Sequence, residues 1–168
     1  IYNTYALKEG LTLEDSKRGV SHKGWQNIAE CCVRRITVTP DANQVWALGT
    51  GGGSHEMFWT WANKGVGTWN VAHNSCCVIN ICFAPNGRLY GVGTDGQVWW
   101  YDGRWHLHTI GWVSFITIVG DWIYGIGGGA TWRIPLNSKY GTEWQKLTPP
   151  DVTNIAVDST GTFIYGVG

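Results

Sequence analysis

The sequence predicts an all-β protein assembled from four copies of one structural unit. Its 168 residues include 24 glycines and 12 tryptophans, and only 14% of the residues are charged. Short runs rich in Val, Ile, Thr, Trp and Tyr alternate apolar and polar residues, which is the period of a half-buried strand. Turn residues separate these runs, and no helical period extends over a comparable window. The pattern therefore favours strands joined by tight turns.

A repeat accounts for the four units. Each copy begins with a tryptophan, continues through a β run and ends on a Gly-x-Gly sequence, which is Ala-Leu-Gly in the first copy. The leading tryptophans are Trp25, Trp69, Trp105 and Trp144. They follow one another at intervals of about 40 residues, which is the length of a four-stranded propeller blade. The sequence therefore predicts a single domain folded as a four-bladed β-propeller.

The repeats also assign residues to blades. In order, the four blades cover residues 33–72, 78–108, 113–147, and 152–168 together with 1–29. The fourth copy ends after two strands, whereas residues 1–6 have the pattern of a third strand. We therefore expect strands from both termini to close the last blade, which would leave no open sheet edge in the ring. Pairing of residues 1–6 with a neighbouring molecule would make the same local contacts and remains an alternative.

The balance of charges excludes some classes of partner. Twelve Lys and Arg residues balance twelve Asp and Glu residues. We therefore expect no binding to nucleic acid or to an anionic membrane surface. No apolar run is long enough for a transmembrane helix, so we expect no membrane insertion. The chain begins at Ile1 without the features of a signal peptide, which leads us to expect the mature form of a secreted or extracellular protein.

The five cysteines have an unusual arrangement. Four form two adjacent pairs, Cys31-Cys32 and Cys76-Cys77, and none has the usual zinc-ligand spacing. Both pairs open the first strand of consecutive blades, so we expect at least one disulfide among them, either between blades or to another subunit. A disulfide-linked homo-oligomer is one consequence, and four reduced thiols are the alternative. Cys82 occupies an inner-strand position for a small residue and is expected to be a buried free thiol.

The repeat unit resembles that of the tectonin and tachylectin families of β-propeller lectins. In this unit a Trp-x-x-Ile/Leu sequence precedes a β run and a closing Gly-Val-Gly. Residues 110–118 read Ile-Gly-Trp-Val-Ser-Phe-Ile-Thr-Ile, which is similar to the Gly-Gly-Trp-x-x-Phe turn of the tachylectin repeat. The resemblance implies a carbohydrate-binding propeller, often specific for N-acetylhexosamines, with sites repeated between blades. The known members have five or more blades, whereas four are countable in this chain.

The chemistry of a sugar suggests where it would bind. A pyranose presents an apolar C–H face and a rim of hydroxyls, so it needs an aromatic side chain beside polar groups and exposed amides. The turns expected on one rim of the propeller offer these groups. The candidate carbohydrate-binding residues are Trp112, Gly111, Asp95, Thr94, His55, Gly53, Trp61 and Tyr101. The alternative is that the glycines only permit tight turns and that about half of the outer aromatic residues pack between blades.

Other chemistry receives little support from the sequence. His106 and His108 lie two residues apart on one face of a strand, but no third ligand accompanies them, so we expect no metal site. No paired carboxylates or catalytic motif are evident. We therefore expect a non-enzymatic lectin without a cofactor, whose partners are glycans that contain amino sugars. A protein-interaction scaffold with an exposed Trp surface is the second hypothesis, and a propeller hydrolase or lyase is the third.

Overall fold

The computed structural model describes residues 4–7, 25–29, 33–50, 56–61, 69–147 and 151–168. These residues form sixteen β-strands and no helix, which confirms the predicted all-β class. Within the same segments there is accordingly no helix that could cross a membrane.

The strands follow one another with short connections. The first two are β1 (Thr4–Leu7) and β2 (Trp25–Ala29). The next four are β3 (Val33–Val38), β4 (Gln44–Gly49), β5 (Met57–Trp61) and β6 (Asn70–Val71). They are followed by β7 (Val78–Phe83), β8 (Leu89–Gly93), β9 (Val98–Tyr101) and β10 (Trp105–Thr109). The remaining strands are β11 (Phe115–Val119), β12 (Trp122–Gly127), β13 (Ala130–Pro135), β14 (Gln145–Lys146), β15 (Asn154–Val157) and β16 (Ile164–Val167).

The strands pair in sequence order into antiparallel sheets. Strands β3–β6, β7–β10 and β11–β14 form three four-stranded sheets, which we call blades I, II and III. Strands β15 and β16 form a two-stranded sheet, half-blade IV. Glycines make the tight turns possible, because Gly87 and Gly96 have φ values of +82° and +76° that other residues rarely adopt. Local turn chemistry therefore sets the order of strands within each blade.

The core lies between successive blades, where the face of one sheet packs on the face of the next. One cluster contains Leu48 and Met57 of blade I together with Ile81 and Leu89 of blade II. A second joins blade II to blade III, and a third joins Tyr124 and Ile126 of blade III to Ile155 of half-blade IV. Each interior face is apolar because alternate residues of every strand point toward the neighbouring blade.

Hydrogen bonds tie the inner strands of neighbouring blades together. The Thr37 hydroxyl oxygen accepts a bond from the Phe83 backbone N–H at 3.3 Å, which links β3 to β7. Cys82, on the same strand as Phe83, is a free thiol as predicted and is half-buried beside the core. Burial raises the pKa of this thiol, although a bond from the Ile118 backbone N–H acts in the opposite direction. The inner strands are thus joined by side chains as well as by apolar packing.

The outer faces of the first and last sheets are open. Ile36 of blade I is 49% exposed, whereas Ile116, at the same repeat position of blade III, is 1% exposed. Tyr165 of half-blade IV is 63% exposed, whereas its equivalents Tyr90 and Tyr124 are each 1% exposed. These side chains are buried only where another blade packs on them. The open faces of blade I and half-blade IV therefore have the residues of a blade-packing surface, but no blade packs on them in the described part of the chain.

The predicted closing blade is present as two separate pairs of strands. Strands β1 and β2 pair antiparallel, with Leu7 opposite Trp25, and β15 pairs with β16. Among the described residues no ladder of hydrogen bonds joins β16 to β1. The described residues thus show the two halves of the expected closing blade as separate two-stranded sheets, and their union in one four-stranded sheet stays a prediction.

Candidate functional site

Trp112 is the most exposed aromatic side chain of the described residues. It lies on the connection between β10 and β11 and is 86% exposed. Its backbone is nevertheless held, because the Val113 N–H donates to the Gly96 carbonyl at 3.0 Å and the Ser114 N–H donates to the Ile126 carbonyl at 2.7 Å. The connection thus presents a large indole in solvent on a backbone that is bonded to two blades.

One side of Trp112 borders a cavity of about 390 Å³, which we call the Asp95 cavity. Its lining consists of Asp95, Gln97, Ile110, Gly111 and Trp112. The Asp95 carboxylate accepts bonds from the backbone N–H of Gln97 at 3.0 Å and from the Gln97 side-chain amide at 3.2 Å. These bonds orient a negatively charged acceptor beside an exposed indole, which is the combination that a polyhydroxylated ring requires.

A second cavity of about 270 Å³ also borders Trp112, and we call it the Trp132 cavity. It is lined by Trp112, Val113, Gly127, Gly128, Trp132 and Trp144. The Trp132 indole N–H donates to the Gly127 carbonyl at 2.9 Å, and the Trp144 indole N–H donates to the Ile110 carbonyl at 3.0 Å. Both indoles are therefore fixed in place. Position 127 does not accept a residue larger than glycine, because a Cβ there would collide with the Trp112 carbonyl oxygen.

A third cavity of about 260 Å³ lies at the same end of blade II, and we call it the disulfide pocket. Its walls include Cys76, Cys77, Thr94, Asp95, Trp99 and Trp105. Asp95 thus contributes to both the disulfide pocket and the Asp95 cavity, and its carboxylate also accepts a bond from the Trp99 indole N–H at 3.3 Å. The three cavities form one continuous rim from blade II to blade III.

The structure brings together half of the residues expected to bind carbohydrate. Trp112, Gly111 and Asp95 line one cavity, and Thr94 lies beside Asp95 in the disulfide pocket. His55 and Gly53, the remaining predicted turn residues, lie outside the described residues.

Two predicted residues lie away from this rim. Tyr101 packs between blades I and II against Trp46 and Trp105, and its hydroxyl donates to the His73 carbonyl. Burial raises the pKa of that hydroxyl, with a smaller contribution from the charge of Asp102. Trp61 lies at the end of β5 with its ring edge against Trp59. Neither residue is among those that line the three cavities.

The cysteine prediction is confirmed in one respect and wrong in another. A disulfide is present, but it joins Cys76 to the adjacent Cys77 and not to another blade or subunit. The bond closes within a turn in which Cys77 has the left-handed φ of +74°, so both sulfurs remain on the rim of blade II. Cys31 and Cys32, the other predicted pair, lie outside the described residues.

Sequence reasoning missed several residues of the rim, of which Trp132 and Gln97 differ in how they could have been found. Trp132 and Gln97 line cavities but were not among the candidates. A signal for Trp132 exists, because it occupies the same position in β13 as Trp99 does in β9: each pairs with the middle glycine of the preceding strand. Gln97 has no comparable repeat signal and is recognised only from its bonds to Asp95.

The two histidines of β10 have different environments. His106 stacks on Trp100 with ring centroids 4.1 Å apart and lies 2.9 Å from the Asp102 carboxylate. His108 packs edge-on against Tyr90, and burial lowers its pKa, with a further contribution from the charge of Arg88. In the part of the chain that the structure describes, no three His, Cys, Asp or Glu side chains form a group that could hold a metal ion.

Comparisons with solved structures identify the fold. The chain is similar to a gluconolactonase from Xanthomonas campestris, with 20% identity over 66% of this chain and a TM-score of 0.55. It is similar to TolB from Acinetobacter baumannii, with 16% identity over 77% of this chain and a TM-score of 0.59. Both are β-propellers, and the fold of this chain is therefore a β-propeller. The chain spans only 40% of the gluconolactonase and 36% of TolB.

A third similar structure extends over nearly the whole chain. It is a symmetrical protein described for its de novo evolutionary emergence, with 12% identity, 98% of this chain and 76% of that chain covered, and a TM-score of 0.62. No protein-family model and no curated protein matches this chain. At these levels of identity the similarities establish the fold alone.

Proposed function

We propose that this protein is a non-enzymatic lectin that binds N-acetylated hexosamines on the rim formed by blades II and III. The observation that carries the proposal is the position of Trp112, whose indole is 86% exposed between two cavities. An apolar surface of this size costs free energy in water unless a ligand covers it, and exposed aromatic residues beside cavities mark binding sites.

The surroundings of Trp112 suit a sugar. The apolar C–H face of a pyranose stacks on the indole, and its hydroxyls donate to the Asp95 carboxylate in the adjoining cavity. Because Val113 and Ser114 are hydrogen-bonded to neighbouring strands, the connection is already ordered before the ligand binds. Less conformational entropy is then lost on binding. The resemblance of the repeat to tectonin and tachylectin lectins supports N-acetylated hexosamines as the ligand class.

The proposal includes a four-bladed ring in which β1 and β2 supply the outer strands of half-blade IV. Ala47 is the register partner of Ile36 on the open face of blade I. Ala47 is fully buried, whereas Ile36 is half exposed, so this face is covered over β4 but open over β3. Packing of half-blade IV against blade I would cover Ile36 and Tyr165, and this contact would close the ring.

We place the protein in an oxidising, extracellular setting, where it acts through several weak sites at once. The Cys76–Cys77 disulfide supports this setting, because disulfides persist mainly outside the cytosol. Repeated rim sites would give avidity for glycoconjugates that exceeds the affinity of any single site.

The test is a calorimetric and NMR titration with free N-acetylglucosamine and N-acetylgalactosamine. We expect a dissociation constant of about 1 mM per site, which corresponds to about 4 kcal/mol. The Trp112→Ala variant should lose this binding without loss of stability, since the side chain is exposed. Tyr140→Ala removes another exposed aromatic side chain, one that lines none of the three cavities, and serves as the matched control. Absence of heat and of shifts with both sugars would refute the proposal.

One observation favours a protein-interaction scaffold as the second candidate. The open faces of blade I and half-blade IV expose Ile36, Val38, Tyr165 and Val167. Contiguous apolar residues of this kind can dock a partner protein. Binding of glycans on an array by the monomeric protein would favour the lectin, whereas binding to proteins only, lost in Tyr165→Ser, would favour the scaffold.

A further inference from the structure

The disulfide pocket of blade II and the Trp132 cavity of blade III occupy equivalent positions in the repeat. They differ in the residues that form one wall. Both lie where the first strand of a blade begins, and both contain the leading tryptophan of the repeat, Trp105 in one and Trp144 in the other. At the position of Trp112 in blade III, blade II has Cys77. The exposed wall of the disulfide pocket is therefore the Cys76–Cys77 disulfide in place of an indole.

The two cavities also differ in one hydrogen bond. The Trp144 indole N–H donates to the Ile110 carbonyl at 3.0 Å. The Trp105 indole N–H is buried and has no partner in the described part of the chain. An unpaired buried donor costs free energy, which the Trp144 indole avoids. The two leading tryptophans thus differ in the pairing of their indole N–H.

Acceptors and apolar surface complete the pocket. The Asp95 carboxylate offers an acceptor on one side, and the sulfurs and the Trp99 indole offer apolar surface. An acetamido group contains an N–H donor, a carbonyl acceptor and a methyl group. The N–H matches the Asp95 carboxylate, and the methyl group matches the apolar surface of the disulfide and of Trp99.

We propose that the Cys76–Cys77 disulfide forms one wall of a second sugar subsite, which takes the acetamido group of an N-acetylated hexosamine and binds it only while the disulfide is intact. This inference rests on the proposed lectin function and assigns to it a redox-controlled site.

The dependence on the disulfide follows from the position of the two sulfurs. The Cys77 carbonyl accepts a hydrogen bond from the Thr94 N–H at 2.9 Å, so the position of Cys77 sets the turn that carries Asp95. Cys77 has a left-handed φ of +74°, which L-residues disfavour unless their surroundings impose it. Asp151, at the equivalent position of half-blade IV, has a φ of +89° without a disulfide, so the turn itself imposes this conformation. The covalent ring adds a fixed position for the two sulfurs, and without it the wall that they form is lost.

The Cys76–Cys77 disulfide is reduced by ordinary thiol–disulfide exchange. A thiolate of an external dithiol attacks one sulfur, the bond between Cys76 and Cys77 breaks, and the second thiol of the reductant resolves the mixed disulfide. Two electrons and two protons pass to the protein, which gains two thiols, while the dithiol becomes a disulfide. Both cysteines are exposed on the rim, so the reductant can reach them.

The experiment follows the indole N–H signals in two-dimensional NMR during titration with N-acetylglucosamine. We expect the signals of Trp99 and Trp105 to shift in the oxidised protein, with assignments made from Trp99→Phe and Trp105→Phe. After treatment with dithiothreitol, the affinity read from these two signals should fall by about tenfold or more, while shifts at Trp112 and Trp132 remain. The Cys82→Ser variant, which keeps the disulfide, should respond to the reductant as the wild type does.

The outcomes separate this inference from the proposed function. Shifts at Trp112 without shifts at Trp99 and Trp105 would overturn the second subsite alone. Equal affinity at Trp99 and Trp105 before and after reduction would overturn the redox dependence. Absence of any shift would overturn the lectin proposal itself. The Cys76→Ala/Cys77→Ala variant should be insensitive to dithiothreitol, and if it does not fold, reduced and alkylated wild-type protein provides the same comparison.

Discussion

The side-chain oxygen of Asn80 accepts a hydrogen bond from the backbone N–H of Ile116 at 3.0 Å. Asn80 lies on β7 and Ile116 on β11, so this bond joins the inner strands of blades II and III. Both residues are buried, and no solvent can replace the bond. A polar side chain at the blade interface is therefore required by the backbone donor opposite it.

We predict that Asn80→Ala destabilises the protein by about 1–3 kcal/mol, because the Ile116 N–H is left buried and unpaired. Urea unfolding followed by tryptophan fluorescence measures the change. Asn137→Ala, at an exposed turn position, is the control and should change the stability by less than about 0.5 kcal/mol. Equal stability of Asn80→Ala and the wild type would contradict the importance of this bond.

Asn154 provides a test of ring closure. It occupies in β15 the position that Asn80 occupies in β7, and it is exposed on the open face of half-blade IV. If the ring closes in solution, the Asn154 side chain faces the backbone N–H of Ile36 in blade I. Asn80 faces the backbone N–H of Ile116 in the same way. We then expect Asn154→Ala to cost about 1–3 kcal/mol in the same urea assay. A change of less than about 0.5 kcal/mol would refute closure.

Gly127 is predicted to control the Trp112 connection. A Cβ at this position would collide with the Trp112 carbonyl oxygen, which is backbone and cannot turn away as a side chain does. We expect Gly127→Ala to lower stability by about 1–3 kcal/mol and to weaken sugar binding at Trp112. Gly166→Ala, where the nearest atom is a Val152 methyl at 3.3 Å, is the control. Unchanged binding by a folded Gly127→Ala protein would show that the connection tolerates displacement.

His108 is predicted to make stability depend on pH. Because burial lowers its pKa below the ordinary value of 6.5, the unfolded chain binds the proton more readily than the folded one. Stability is therefore greatest above the ordinary pKa of 6.5 and decreases as the pH falls from there through the lowered pKa of the folded protein. Urea unfolding across this range measures the slope, which should diminish in His108→Gln. The exposed His73 serves as the control, and His73→Gln should keep the slope.

Much of the fold follows from local sequence, whereas the site follows from it only in part. The alternation in β7 and β11 and the turn residues near Gly87 and Gly96 depend on a few neighbours in the chain. In contrast, Asp95 belongs to blade II and Trp112 to the connection that leads to blade III, and the two meet in one cavity. The repeat predicts that these two residues are near each other, but the sequence gives no distance between them.

The tryptophans illustrate the limit of the sequence. Trp99, Trp112 and Trp132 all lie near the rim, and their residue type does not distinguish an exposed indole from one that packs between blades. Trp112 is exposed because it lies on a connection, while Trp132 is half-buried and bonded to Gly127. The exposed fraction of each indole depends on which strand or blade lies opposite it.

By itself the sequence determined that this chain is all-β, that it repeats one blade-like unit and that Cys82 stands apart from the paired cysteines. Only the tertiary structure decided that Cys76 bonds to Cys77, that Trp112 separates two cavities and that Ile36 and Tyr165 lie on open faces. The physical reason is the range of the interactions. Strand period and turn conformation depend on adjacent residues, whereas burial and cavity shape depend on which distant blade packs against each face.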